Sequence, residues 1–146
     1  MASPQPVPGL VIRYAYLWRE EQLRGQEEGR KDRPCAVILV TTADQGDRLV
    51  TVLPVTHTPP ADPLLAVEIP HATKRRLGLD DERSWIVLTE ANRFVWPGPD
   101  LRPTRAGLEG STVAYGVLPR ALFHEVITKF QAAVVAHQAR LVQRTE

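Results

Sequence analysis

The chain has 146 residues, with 18 Lys and Arg against 17 Asp and Glu, a formal net charge of +1. That balance excludes a histone-like charge neutraliser and an acidic tail, but leaves room for a local basic groove. The single cysteine excludes an internal disulfide and a paired-cysteine metal knuckle, and suits a reducing cytoplasm. No apolar run approaches the ~18 residues of a membrane span. Residues 1–8 lack the basic and apolar regions of a secretory signal. Thirteen prolines and nine glycines predict many short elements and a small β-rich class.

In chain order, residues 1–9 form an extended leader with Pro4, Pro6 and Pro8. The run LVIRYAYLW, 10–18, alternates like a strand, with Tyr14, Tyr16 and Trp18 on one core face. A charged excursion, 19–33, follows. Ten of its 15 residues are charged, and it has room for one helical turn. CAVILVT, 35–41, predicts a buried central strand, and TADQGDR, 42–48, a turn with Gly46 in a left-handed position. LVTVLPVT, 49–56, is the returning strand. Further strands are expected over 64–69, 85–89 and 111–118. A short helix is expected from Pro70 to Leu77, ended by Gly78, and a stiff loop over 96–107. From Pro119 to about Gln143, Leu122, Val126, Phe130, Val134 and Leu141 recur at helical spacing. Residues 10–118 then make one small barrel domain of five to seven strands, and 119–146 one C-terminal helix packed on it.

The 34–56 hairpin carries the chemistry. A turn near Asp44 and Gln45 makes cross-strand partners sum to 89 or 90, which puts Arg33 opposite Thr56 or His57 at the sheet rim. A guanidinium grips phosphate in two-pronged geometry, and a hydroxyl can bond a phosphate oxygen. The alternative is structural, with Arg33 paired to Asp32 or Glu28 and Thr56 an ordinary strand residue.

Several segments resemble the PemK/MazF family of bacterial toxin ribonucleases. They are Pro8 to Ile12, the stretch Lys31-Asp32-Arg33-Pro34 with the strand to Leu39, Val52-Leu53-Pro54-Val55-Thr56-His57, and Ser84 to Glu90. The resemblance spans roughly residues 8–95. It implies a mainly β (α+β) fold, a small SH3-like barrel of the PemK/MazF/CcdB type with a C-terminal helix. It also implies a metal-independent endoribonuclease, leaving a 2′,3′-cyclic phosphate and a 5′-hydroxyl without any cofactor. Arg33 and Thr56 match the family's catalytic arginine and threonine. His57 stands where the family has serine or threonine and is a candidate acid or base. Glu90-Ala91 replaces the family's Asp-Gln. The implied partners are single-stranded RNA, a cognate antitoxin and a second copy of the chain. The alternative on the same barrel is a non-catalytic module that binds RNA or a protein target, as the related gyrase-inhibiting toxins do.

RNA contacts are expected from Lys31, Tyr16, Lys74, Arg75, Asn92 and Arg93. For the Lys74-Arg75-Arg76 run, the alternative is the solvated face of a short helix. Cys35 reads as a small core residue. His71, His124 and His137 have no metal-ligand spacing, so no metal site is expected.

Overall fold

The computed structural model describes residues 4–25, 31–104 and 112–144. Strands β1 (Leu10–Tyr14), β2 (Arg33–Thr42) and β3 (Arg48–Thr56) form an antiparallel meander. Helix α1 (Arg19–Leu23) lies between β1 and β2. A 3-10 turn (Pro63–Leu65) leads into β4 (Ala66–Glu68) and helix α2 (His71–Leu77). Then come β5 (Trp85–Val87), β6 (Glu90–Trp96), β7 (Ala114–Val117), helix α3 (Arg120–Val135) and β8 (Arg140–Gln143).

The eight strands make one sheet, with a path β4-β5-β3-β2-β1-β7. From β3 the sheet also branches to β6, which pairs with β8 in parallel. Among the described residues no ladder joins β7 to β4, β6 or β8, so the sheet is open. This corrects the closed SH3-like barrel with one C-terminal helix: the described residues form a mixed α/β arrangement of an open eight-stranded sheet and three helices. The physical reason lies in how the core is covered. Leu77 of α2 and Leu122 and Val126 of α3 complete the apolar cluster around Val11, Ala36, Leu53 and Ile86. Helices therefore bury a face that a closed barrel would bury by strand pairing. The PemK/MazF assignment, and the metal-independent ribonuclease and toxin activity tied to that barrel, fall with it.

The meander follows the pattern read from the sequence. Cys35 pairs with Pro54, Ala36 with Leu53 and Val37 with Val52, before a bulge at Ile38 shifts the register to Leu39 with Thr51. The intervening turn puts Gly46 at φ +85°, where L side chains are strained. The middle of β2, residues 35–38, is continuously apolar because it is buried on both faces. Cys35 and Val37 join a second cluster with Ile12, Tyr14, Val52 and Phe94, while Ala36 and Ile38 face the helices.

Three departures from the expected elements stand out. Strand β1 stops at Tyr14, and the chain leaves the β1–β2 ladder before α1. No strand is expected between residues 89 and 96, yet β6 covers Glu90–Trp96, so Trp96 ends a strand and does not open the 96–107 loop. The C-terminal helix ends at Val135, and His137 at φ +58° turns the chain into β8, which spends Leu141 on sheet pairing with Ala91. No helix among the described residues is long and apolar enough to cross a membrane.

Candidate functional site

A cleft of about 600 Å³ opens where β2 begins and β3 ends. The β1–β2–β3 order puts Arg33 beside Tyr14 on one side. On the other side, Thr56 pairs with Trp85 of β5. Arg33, Thr56 and His57 all line this cleft, together with Lys31, Lys74 and Arg13.

Arg33 is the central cation. Its Nη1 donates to the Val55 carbonyl at 3.2 Å, and its guanidinium carbon lies 4.9 Å from the centre of the Trp18 ring. Among the described residues no carboxylate pairs with it, and its buried Nε has no hydrogen-bond partner. Asp32, the neighbour that could have neutralised it, sits 3.7 Å from Arg13 and 3.6 Å from Arg102 instead. Glu28, the other expected partner, lies outside the described residues. Thr56 is half-buried, and its hydroxyl oxygen accepts from the Thr58 backbone N–H at 3.2 Å.

Lys74 is nearly fully buried, and its ammonium is consumed by structure. It donates to Asp80 Oδ1 at 2.5 Å, to Ser84 Oγ at 2.6 Å and to the Glu82 carbonyl. Three donors meet three acceptors, so this lysine pins the 79–84 loop against α2. Gly78, at φ +74°, permits the sharp exit from α2 into that loop. Asp80 Oδ2 in turn lies 2.8 Å from His57 Nε2. Burial opposes ionisation of Asp80, but the hydrogen bonds from Lys74 and His57 outweigh it and hold the carboxyl below its usual range.

The remaining expected contacts lie elsewhere. Tyr16 is buried, and its hydroxyl donates to Glu90 Oε1 at 3.0 Å. With Trp18, Lys31 and Arg33 it lines a small adjoining cavity of about 210 Å³. Burial, with Glu90 nearby, pushes the Tyr16 phenol far up. Asn92 is fully buried: its Oδ1 accepts from Leu17 N–H at 2.9 Å and its Nδ2 donates to Leu17 C=O at 2.8 Å. Arg93 donates to Gln143 Oε1 at 2.6 Å. Arg75 is exposed on α2 and does not line the cleft.

Sequence reasoning missed Trp18, which it placed in the core. The indole is half-exposed and lines the main cleft, the small cavity and an apolar groove of about 460 Å³ beside Thr56 and Pro59. Its position follows from β1 stopping at Tyr14, which the alternation of the sequence conceals. The capping pattern gives a local clue: Glu21 Oε1 accepts from the Trp18 N–H at 3.1 Å, so Trp18 is a helix cap and not a strand residue. No protein-family model matches the chain, and no curated protein matches it.

Proposed function

We propose that this cleft binds a phosphate-bearing ligand, and that the ligand is single-stranded RNA. The observation that carries the reading is Arg33, a guanidinium without a carboxylate partner among the described residues. It is fixed on the Val55 carbonyl and flanked by an indole. A pre-positioned guanidinium loses little freedom on gripping a phosphate. The Thr56 and Thr58 hydroxyls and exposed Lys31 add donors around it. Trp18 and the apolar groove next to it offer a face on which an unpaired base stacks. The role is recognition, not cleavage. A cytoplasmic setting, suited to a lone buried thiol, is part of the same proposal.

Fluorescence anisotropy with a labelled single-stranded RNA oligonucleotide tests it. The wild-type chain binds with an affinity that falls as salt rises. Arg33→Ala lowers that affinity by about 10- to 100-fold, the range for losing charge-assisted hydrogen bonds. Equal binding by the two proteins, or none at low salt, refutes the reading.

A further inference from the structure

The His57 ring stands between two carboxylates at the rim of the cleft, and its two contacts differ in kind. Nε2 lies 2.8 Å from Asp80 Oδ2, a hydrogen-bond length, while Nδ1 lies 3.6 Å from Glu82 Oε2, which is too long for one. Asp80 is itself fixed, because Lys74 holds its other oxygen. An ionised carboxylate only accepts, so Nε2 carries the proton of that bond. In the neutral ring Nδ1 then keeps its lone pair, directed away from Asp80.

A histidine with one nitrogen donating to a carboxylate is the arrangement in which the other nitrogen ligates a metal. The spacing to Glu82 suits it. Zinc bonds of ~2.0–2.2 Å at a tetrahedral angle set a nitrogen and an oxygen ligand ~3.4 Å apart. The candidate ligand atoms of His57, Asp80 and Glu82 all lie within 4.8 Å of one another. Charge agrees: Lys74 balances Asp80, which leaves the Glu82 carboxylate to offset a cation. His57 and Glu82 side chains are 48% and 73% exposed, so open coordination positions face water and the cleft.

We propose that His57 Nδ1 and Glu82 Oε2 bind a divalent transition cation of the Zn²⁺ type, with Asp80 orienting the imidazole and water completing the coordination. Sequence spacing does not announce such a site, because residue 57 follows β3 and residues 80–82 follow α2. The proposal stands apart from RNA binding, since it concerns the metal alone.

The test titrates the full chain with Zn²⁺ in phosphate-free buffer against a chromophoric chelator. The expected result is one saturable site per chain, weakened at least ~10-fold by His57→Gln and by Glu82→Gln, and unchanged by Asp81→Asn. In nitrogen-detected spectra of the wild type, Zn²⁺ shifts the Nδ1 resonance of His57 while Nε2 stays protonated. Absence of saturable binding overturns the proposal. So does binding that survives His57→Gln, or binding weakened equally by Asp81→Asn, which would report only the charge of the loop.

Discussion

The guanidinium of Arg33 lies 4.9 Å from the centre of the Trp18 ring, so the principal cation of the cleft is held against an indole that also lines two neighbouring cavities. In the proposed RNA binding, this contact divides the labour between charge and stacking. Trp18→Ala removes the face and the cation–π support, worth ~0.5–2 kcal/mol, and weakens RNA binding about 2- to 30-fold. Trp18→Phe retains part of it. The slope of log affinity against log salt separates the roles. Arg33→Ala reduces its magnitude by about 0.7 for a single strand, whereas Trp18→Ala leaves it unchanged. Titrations at three or more salt concentrations measure both.

A buried ion pair away from the cleft is structural. Arg144 Nη2 lies 2.7 Å from Asp100 Oδ2, and both side chains are buried. Arg144 Nη1 also donates to the Ala15 carbonyl, Tyr14 Oη and Asn92 Oδ1, tying the C-terminal segment to the chain after β1. Asp100→Ala takes a carboxylate away from a buried guanidinium and costs about 3–5 kcal/mol. A fall in Tm of at least ~6 °C is expected. Urea denaturation reads the same loss. A shift below 1 °C would show that water replaces the carboxylate at no cost.

These two arginines also mark how far the sequence could be read. The β2–β3 register was legible because the turn residues and two apolar runs constrain it jointly, and that register alone brings Arg33 and Thr56 to one rim. The helix over 71–77 was legible from its flanking Pro70 and Gly78. The openness of the sheet was not. It depends on α2 and α3 covering the core around Leu53 and Ile86, and a helix that covers a sheet has the same apolar periodicity as one that caps a barrel. Nor was β8 visible, because Leu141 continues the helical stripe while His137 breaks it in the backbone. The Lys74–Asp80–His57 chain escaped notice for a related reason. A basic run on a short helix reads as an RNA contact or a solvated face until the 79–84 loop folds back over Lys74.

Cys35 supplies a simple check on packing. It is fully buried between β1 and β3, and burial pushes its thiol up, against the pull of Arg33 and Arg144. The thiolate is the reactive form, so the native chain resists alkylation at pH 8. Iodoacetamide followed by intact-mass measurement finds no adduct in native buffer and one adduct in 6 M guanidinium chloride. Rapid labelling of the native chain would mean that the β1–β2–β3 meander opens readily.

Glu90 predicts how stability changes with pH. Burial pushes its carboxyl up, against hydrogen bonds to Oε1 from the Arg19 N–H and the Tyr16 hydroxyl, each 3.0 Å long. A carboxyl raised in the folded state binds more protons there than in the unfolded chain. Its stabilisation is therefore fully present below the unfolded value, about 4.3, and is lost as pH rises through the folded one. Glu90→Gln keeps the oxygen acceptor and removes the charge. At pH 7 the variant is expected to be more stable than the wild type, and the difference shrinks towards zero as pH falls to 4. Urea unfolding of both proteins across this range measures the difference, in which the other titrating groups cancel. A constant offset, or an advantage that grows on acidification, would mean that burial of Glu90 does not govern its ionisation.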